Sequence, residues 1–198
     1  MAELPARAWQ RMLSGRRLDL LDPSPLDIEI GDIALGLSRV ARWNGQTIGP
    51  HGFSVAQHCS LVVRLMGAAK VRLPRPARLA GLLHDAGEYV TSDLITPFKN
   101  AIGGEYKALE KRLERAVHLR FGLPAVPPEE WSAAIKRADK TAAFLEAVQL
   151  AGFGEDEARQ VLGYRRKAPA VVLEAWEPET ARQRYLEAFR ALGGGDEG

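Results

Sequence analysis

Apolar residues recur at helical spacing through most of this chain, in segments set apart by glycine and proline. Between Gly31 and Val40, the positions Ile33, Ala34, Leu37 and Val40 predict a first short helix, with Asp27, Glu29 and Asp32 near its positive end. Ser54 reads as the N-cap of a second helix, Val55 to Met66, in which His58, Leu61, Val62 and Leu65 fall at i, i+3, i+4 and i+7. A third helix starts at Pro74 and Pro76 and runs through Leu79, Ala80, Leu82 and Leu83 into His84-Asp85. Glu105 to Phe121 is amphipathic, with Leu109, Leu113 and Val117 inward and Gly122 closing it. Pro127-Pro128-Glu129-Glu130 opens a long helix reaching about Gly152, whose inner stripe is Trp131, Ile135, Ala138, Ala142, Leu145 and Val148. A short helix over Glu155 to Leu162 and a last one from Pro178, fading by Ala191, complete the pattern.

The intervening stretches lack that period. Met1 to Gln10 shows none, and Ser14 to Pro25 reads as a small hairpin or an extended lead-in ended by two prolines. Arg42 to Thr47 and Thr91 to Pro97 are loops. There is no internal repeat, no low-complexity tract and no strand-rich region, so the fold class is all-α. At 198 residues the chain suits a single domain, 1–198, with 1–13 and 193–198 expected to be flexible.

The 27 Lys+Arg against 25 Asp+Glu leave charge nearly balanced, which predicts neither a nucleic-acid nor an anionic-membrane partner. A single cysteine, Cys59, excludes an intrachain disulfide and a cysteine-based zinc cluster and fits a reducing cytoplasm. It neighbours His58, but adjacent helical residues point about 100° apart, so a small buried hydrophobe is the better reading. The start lacks a signal-peptide pattern, and no apolar run approaches the roughly 18 residues of a membrane span. These features predict a soluble, cytoplasmic protein.

Chemistry concentrates at Gly81-Leu82-Leu83-His84-Asp85-Ala86-Gly87-Glu88-Tyr89. A His-Asp pair with apolar flanks is sunk into a core, and a buried carboxylate is costly without a cation or partners. A lone histidine on an apolar face usually satisfies itself on a carbonyl, yet His58 is not alone. Asp139, four residues after Ile135 and three before Ala142, sits within or at the edge of the long helix's inner stripe. His58, His84, Asp85 and Asp139 together suit one divalent transition metal ion: Mn, Co, Fe, Ni or Zn, with no choice among them. The loop beyond them holds Asp93, Thr96 and Lys99, where substrate contacts often lie, although an isolated Asp there is more often a turn former. Lys107, Lys111 and Arg115 form a stripe that is either a solvated face or a receiver of phosphate oxygens. His118 lies near the negative end of its helix, where positive charge is favoured, and is left outside the site.

The order His58, His84-Asp85, Asp139 resembles the HD-domain superfamily of metal-dependent phosphohydrolases. Arg42-Trp43, Ser54 to His58, Leu82 to Glu88 and Asp93 to Lys99 are similar to the bacterial 5′-deoxynucleotidase branch and its phage-associated relatives, which include dATP triphosphohydrolases. The resemblance covers roughly residues 14 to 150. It implies an HD-domain helical bundle with the metal site in its core, held by His58, His84, Asp85 and Asp139. Glu88 and Asp93 would act on the attacking water or the leaving oxygen, Arg42 would reach a phosphate, and Trp43 would crowd the sugar so that deoxyribose is preferred. Thr96, Lys99, Lys107 and Lys111 would make further substrate contacts. A small-molecule deoxynucleotide is the implied partner and a homo-oligomer the implied assembly. Gly15 to Asp22 and Arg42 to Thr47 look more like the phage-associated subgroup, and no Gly-Tyr-Pro signature of cyclic-dinucleotide phosphodiesterases is present. The leading expectation is dNMP hydrolysis to deoxynucleoside and phosphate. The alternatives are dNTP triphosphohydrolysis, a nucleotide-sensing HD protein of poor turnover, against which intact Glu88 and Asp93 argue, and a helical protein with coincidental polar core residues.

Overall fold

The computed structural model describes residues 8–69, 72–95, 98–99, 101 and 104–195. Thr96, one of the expected substrate contacts, lies outside the described residues. Two short strands, β1 (Trp9–Arg11) and β2 (Arg17–Asp19), pair antiparallel with Trp9 opposite Asp19 and Arg11 opposite Arg17. A hairpin does form, but its first strand, Trp9–Arg11, precedes the Ser14-to-Pro25 stretch and lies within the 1–13 segment expected to be flexible. Its turn is anchored by Ser14, whose backbone N–H donates to Asp32 Oδ1 at 3.1 Å, and Leu18 is its fully buried side chain.

Eight α-helices follow among the described residues: α1 (Ile30–Arg39), α2 (Val55–Gly67), α3 (Arg75–Leu82), α4 (Glu88–Thr91), α5 (Gly104–Arg120), α6 (Glu129–Gln149), α7 (Glu155–Leu162) and α8 (Pro178–Ala191). The fold is all-α, as the periodicity predicts, and its centre is α2. Ser54 Oγ accepts from the Gln57 amide at 3.2 Å, fixing where α2 begins. The helix is buried nearly all round, from Val55 through Met66, and so must be enclosed on every side. α1, α3, α6 and α8 enclose it. Gln57, a polar residue in this apolar setting, satisfies its amide by donating to Glu174 O at 2.7 Å and accepting from Trp176 N at 2.9 Å. Those bonds tie the extended strap before α8 onto the core helix. No helix among the described residues is long and apolar enough to cross a membrane.

Two local features position the site. Arg42 N donates to Phe53 O at 2.8 Å and Val55 N to Val40 O at 3.0 Å, pinching the 41–54 loop so that Arg42 emerges beside the start of α2. In α1, Gly36 packs directly on Tyr89 of α4. A Cβ at residue 36 would lie 2.7 Å from Tyr89 Cβ and 3.0 Å from its carbonyl oxygen. Because backbone and not a flexible tip stands in the way, Gly36→Ala is expected to destabilise the fold by about 1–3 kcal/mol. In a thermal melt that is a fall of roughly 3–10 °C, and it should disturb the neighbouring Glu88 as well.

Candidate metal centre

α3 ends sooner than the spacing predicts. It stops at Leu82, and His84 and Asp85 occupy the turn between α3 and α4. The His84 ring explains the stop: its Nδ1 donates to Gly81 O at 2.9 Å, taking the carbonyl that a continuing helix would offer to the Asp85 amide. Ala86 N and Glu88 N then bond back to Leu83 O and Asp85 O, closing the turn into α4.

From α2, the turn and α6, the four sequence-predicted ligands converge. His58 Nε2 lies 3.3 Å from Asp139 Oδ1 and 3.6 Å from Asp85 Oδ2, and His84 Nε2 lies 3.2 Å from Asp85 Oδ2. The two imidazole rings are 5.4 Å apart. His58 is fully buried, while the Asp139 side chain, 40% exposed, sits at the edge of the α6 stripe.

The chemistry of this donor set fits a cation. A carbonyl can only accept, so His84 Nδ1 carries the proton; Glu146 is ionised, so His58 Nδ1, 2.6 Å from Glu146 Oε1, carries one too. A ring that is neutral on Nε2 would turn a lone pair toward carboxylate oxygens, and neither Nε2 has a hydrogen bond of good geometry. Lone pairs facing carboxylates need a positive charge between them, either a proton or a metal ion. Burial and Arg42 both disfavour protonation of His58, yet Glu146 and Asp139 outweigh them and push it up to about 10. Burial likewise opposes protonation of His84, and Asp85 overcomes it. Asp85 is held well below the usual carboxylate range by the two histidines and Arg42 despite its burial, and Asp139 is lowered chiefly by His58 against the same opposition. Asp85 and Asp139 are therefore anionic, and in the metal-free chain a proton favours the place between them and each Nε2 that a divalent ion would take. Orientation of each ring by a bond on its far nitrogen is the usual support for a metal-binding histidine.

Cys59 is fully buried, with Sγ 3.9 Å from His84 Nδ1, on the side of the ring opposite the Nε2 that faces Asp85. It packs in the main apolar cluster, as the sequence suggests.

His84 and Asp85 form one wall of an opening of about 320 Å³ that Glu88, Lys99, Lys107 and Lys111 also line. Glu88 Oε1 is 3.5 Å from Lys99 Nζ, which pairs with Glu110 Oε1 at 2.9 Å. Burial first, then Asp85 and Asp93, raise Glu88 to about 8 in spite of Lys99 and Arg42. Lys107 and Lys111, read as either a solvated stripe or phosphate receivers, thus stand beside the candidate ligands. Arg42 and Asp93 do not line that opening. They pair with each other, Nη1 to Oδ2 at 3.1 Å, and Asp93 follows Ser92, whose φ of 64° and ψ of 162° belong to a region that side chains rarely adopt. A second opening of about 240 Å³ reaches His84 and Asp139 past Glu114, His118 and Lys136.

His118 corrects a sequence expectation. It is 1% exposed, and burial lowers its pKa more than the Pro124 carbonyl raises it, so a positive charge is disfavoured there in spite of the helix end. Glu146 is the residue that sequence reasoning missed. It is wholly buried and accepts from Trp43 Nε1 at 3.0 Å, from Arg42 Nε at 3.3 Å and from His58 Nδ1. The signal was present: Glu146 lies four residues after Ala142 and seven after Asp139, on the inner stripe, and an acid there needs donors.

No protein-family model matches the chain. It is 61% identical over 157 residues to an uncharacterized protein of Rhodobacter capsulatus, RCAP_rcc00048, covering 79% of this chain and 80% of that one. Uncharacterized protein YfdR of Escherichia coli is 34% identical over 100 residues, half of this chain and 51% of YfdR. The 5′-deoxynucleotidase YfbR of Salmonella typhi is 33% identical over 96 residues, 41% of this chain and 48% of YfbR. The helical fold, the His, His-Asp, Asp constellation and the partial likeness to YfdR and YfbR support a relationship to the HD-domain phosphohydrolases. The chain's group includes the Rhodobacter protein, and its more distant relatives include a 5′-deoxynucleotidase.

Proposed function

We propose that the protein is a divalent-metal-dependent phosphohydrolase that converts deoxynucleoside 5′-monophosphates to deoxynucleoside and orthophosphate. The observation that carries this reading is the meeting of two imidazole Nε2 atoms and two anionic carboxylates beside an opening lined by Glu88, Glu110, Glu114 and three lysines. The partial likeness to a 5′-deoxynucleotidase supports it. His58, His84, Asp85 and Asp139 would hold the ion, and any of Mn, Co, Fe, Ni or Zn suits that set. When bound, such an ion polarises the phosphoryl group and lowers the pKa of water.

The chain's own residues supply the rest. Lys99, Lys107 and Lys111 offset phosphate charge at the mouth of the site. In hydrolysis a water oxygen bonds to phosphorus, the bond from phosphorus to O5′ breaks, and O5′ needs a proton. Glu88, still protonated near neutrality, is placed to give it. Asp93 holds Arg42, and Trp43 beside it sets the preference for deoxyribose.

One observation favours a second reading. Lys107 and Lys111 beside the Glu110-paired Lys99 would suit the longer phosphate chain of a deoxynucleoside triphosphate, cleaved to deoxynucleoside and triphosphate. Incubation with Mn²⁺ or Co²⁺ and a panel of deoxy- and ribonucleoside mono- and triphosphates, with orthophosphate and triphosphate separated, decides between them. Orthophosphate from the deoxynucleoside monophosphates is expected. Triphosphate release establishes the second reading, and absence of turnover with metal bound overturns both in favour of a nucleotide sensor.

A further inference from the structure

We infer that Glu146 is a positioning residue that couples the candidate metal centre to the Arg42-Trp43 turn, so that filling the metal site and engaging that turn tighten one another. The inference rests on the hydrolase reading above and adds to it a link that the four ligands alone do not provide.

Glu146 divides its bonds between two sides of the site. Oε1 meets His58 Nδ1 at 2.6 Å, whereas Oε2 receives both Arg42 Nε at 3.3 Å and Trp43 Nε1 at 3.0 Å. One carboxylate therefore faces a candidate ligand with one oxygen and two candidate substrate contacts with the other. The residue is 0% exposed, so water cannot stand in for a lost partner. Seven residues separate it from Asp139 on α6, two helical turns and about 10 Å along the axis. The same rigid helix thus carries a ligand and the anchor.

The turn on the other side depends on that anchor. Trp43 and Asn44 hold consecutive left-handed conformations, with φ of 57° and 51°, which residues other than glycine adopt at a cost. Trp43 Nε1 on Glu146 and Ile48 N on Leu150 O at 2.9 Å tie this turn to α6 and the residue that caps it. Arg42 extends the chain of contacts to Asp93. The path therefore runs from His58 through Glu146 and Arg42 to Asp93 without a gap. A displacement of Trp43 on engaging a nucleoside would pull on Oε2, and through it on the bond that orients His58. Coupling of this kind is reciprocal.

The test is calorimetric titration of Mn²⁺ into wild type and Glu146→Gln, each with and without a saturating 2′-deoxynucleoside. That probe has no phosphate to touch the ion, so any effect on Mn²⁺ passes through protein. In wild type the deoxynucleoside is expected to tighten Mn²⁺ at least roughly fivefold. In Glu146→Gln, Mn²⁺ affinity should fall about 10–100-fold, the tightening should vanish, and KM for a deoxynucleoside monophosphate should rise together with a fall in kcat. Trp43→Phe keeps an aromatic side chain and all four candidate ligands and removes one of the two donors on Oε2, leaving Arg42 Nε in place. It should lose the tightening too, and it decides the matter if Glu146→Gln does not fold. An unchanged Mn²⁺ affinity on adding deoxynucleoside to wild type, or a wild-type tightening in either variant, overturns the inference. Failure of the hydrolase reading looks different: wild type binds Mn²⁺ and turns over no deoxynucleotide. Turnover without coupling removes this inference alone.

Discussion

Asp139→Ala is expected to abolish both turnover and the thermal response to a divalent ion while leaving the fold in place. Asp139 Oδ1 is one of four donors around the same point, 3.3 Å from His58 Nε2. With it gone, His58, His84 and Asp85 remain, with one negative charge fewer to hold a dication. Wild-type protein with Mn²⁺ at a hundred times its Kd should gain about 2.7 kcal/mol, which is roughly 5–10 °C in a melt. The variant should gain nothing measurable at that concentration. Several kcal/mol of charge stabilisation on the phosphoryl group go with the ion, so kcat/KM should fall on the order of 10³-fold or more. Without the ion, stability should change by less than about 1 kcal/mol, because a carboxylate this exposed is well screened. A helical protein whose polar core residues were coincidental behaves differently: Mn²⁺ moves neither melt. Paired melts with and without Mn²⁺, beside steady-state kinetics, separate the two.

How far the sequence alone reaches is clear from individual residues. The helices were legible where one periodic stripe met a plain boundary signal. Ser54 caps α2, Pro178 opens α8, and α7 has the bounds its pattern predicts, because nothing tertiary competes with the local preference there. The end of α3 was not legible, since the spacing of Leu79, Leu82 and Leu83 is that of a continuing helix. What ends it is the His84 ring on the Gly81 carbonyl, a choice that follows from the fold around it. The His58 face was legible because α2 begins at a strong cap and its stripe has only one phase. Glu146 was lost for a related reason. A charged residue on an inner stripe is easily read as an edge position, as Asp139 was, and only Arg42, Trp43 and His58, some hundred residues upstream, explain why it is buried outright. His118 shows the limit of a local rule: its helix end favours the imidazolium, but burial prevails. The pairing of Arg42 with Asp93 is likewise a product of tertiary structure, since neither residue's neighbourhood in sequence points to the other.

Glu88→Gln should separate catalysis from stability. Loss of the proposed proton donor is expected to lower kcat by about 10²–10⁴-fold, with nucleotide and metal binding largely kept, since Glu88 is not among the four candidate ligands. Stability of the metal-stripped variant should move the other way, and the sign follows from the titration of Glu88. Burial is the main cause that raises it, Asp85 and Asp93 add to this, and Lys99 and Arg42 only partly offset them, so it reaches about 8 in the folded chain against an ordinary 4.5. Between those values the folded state binds more protons than the unfolded state, and wild-type stability therefore falls as pH rises through this window. Glutamine has no charge to bury. Wild type and variant should thus be equally stable below about pH 4.5, diverge through the window, and reach a constant gap above about pH 8, with the variant ahead by ~1–3 kcal/mol after allowance for Lys99. Melts in a chelating buffer at pH 5, 7 and 9 measure that gap. The same proton governs the rate: kcat of wild type should decline above about pH 8 as Glu88 ionises, and the residual activity of the variant should lack that alkaline limb. A gap that stays flat across the three pH values would show that Glu88 ionises as an ordinary surface carboxylate does, and its assignment as the acid for the leaving O5′ would fall with it.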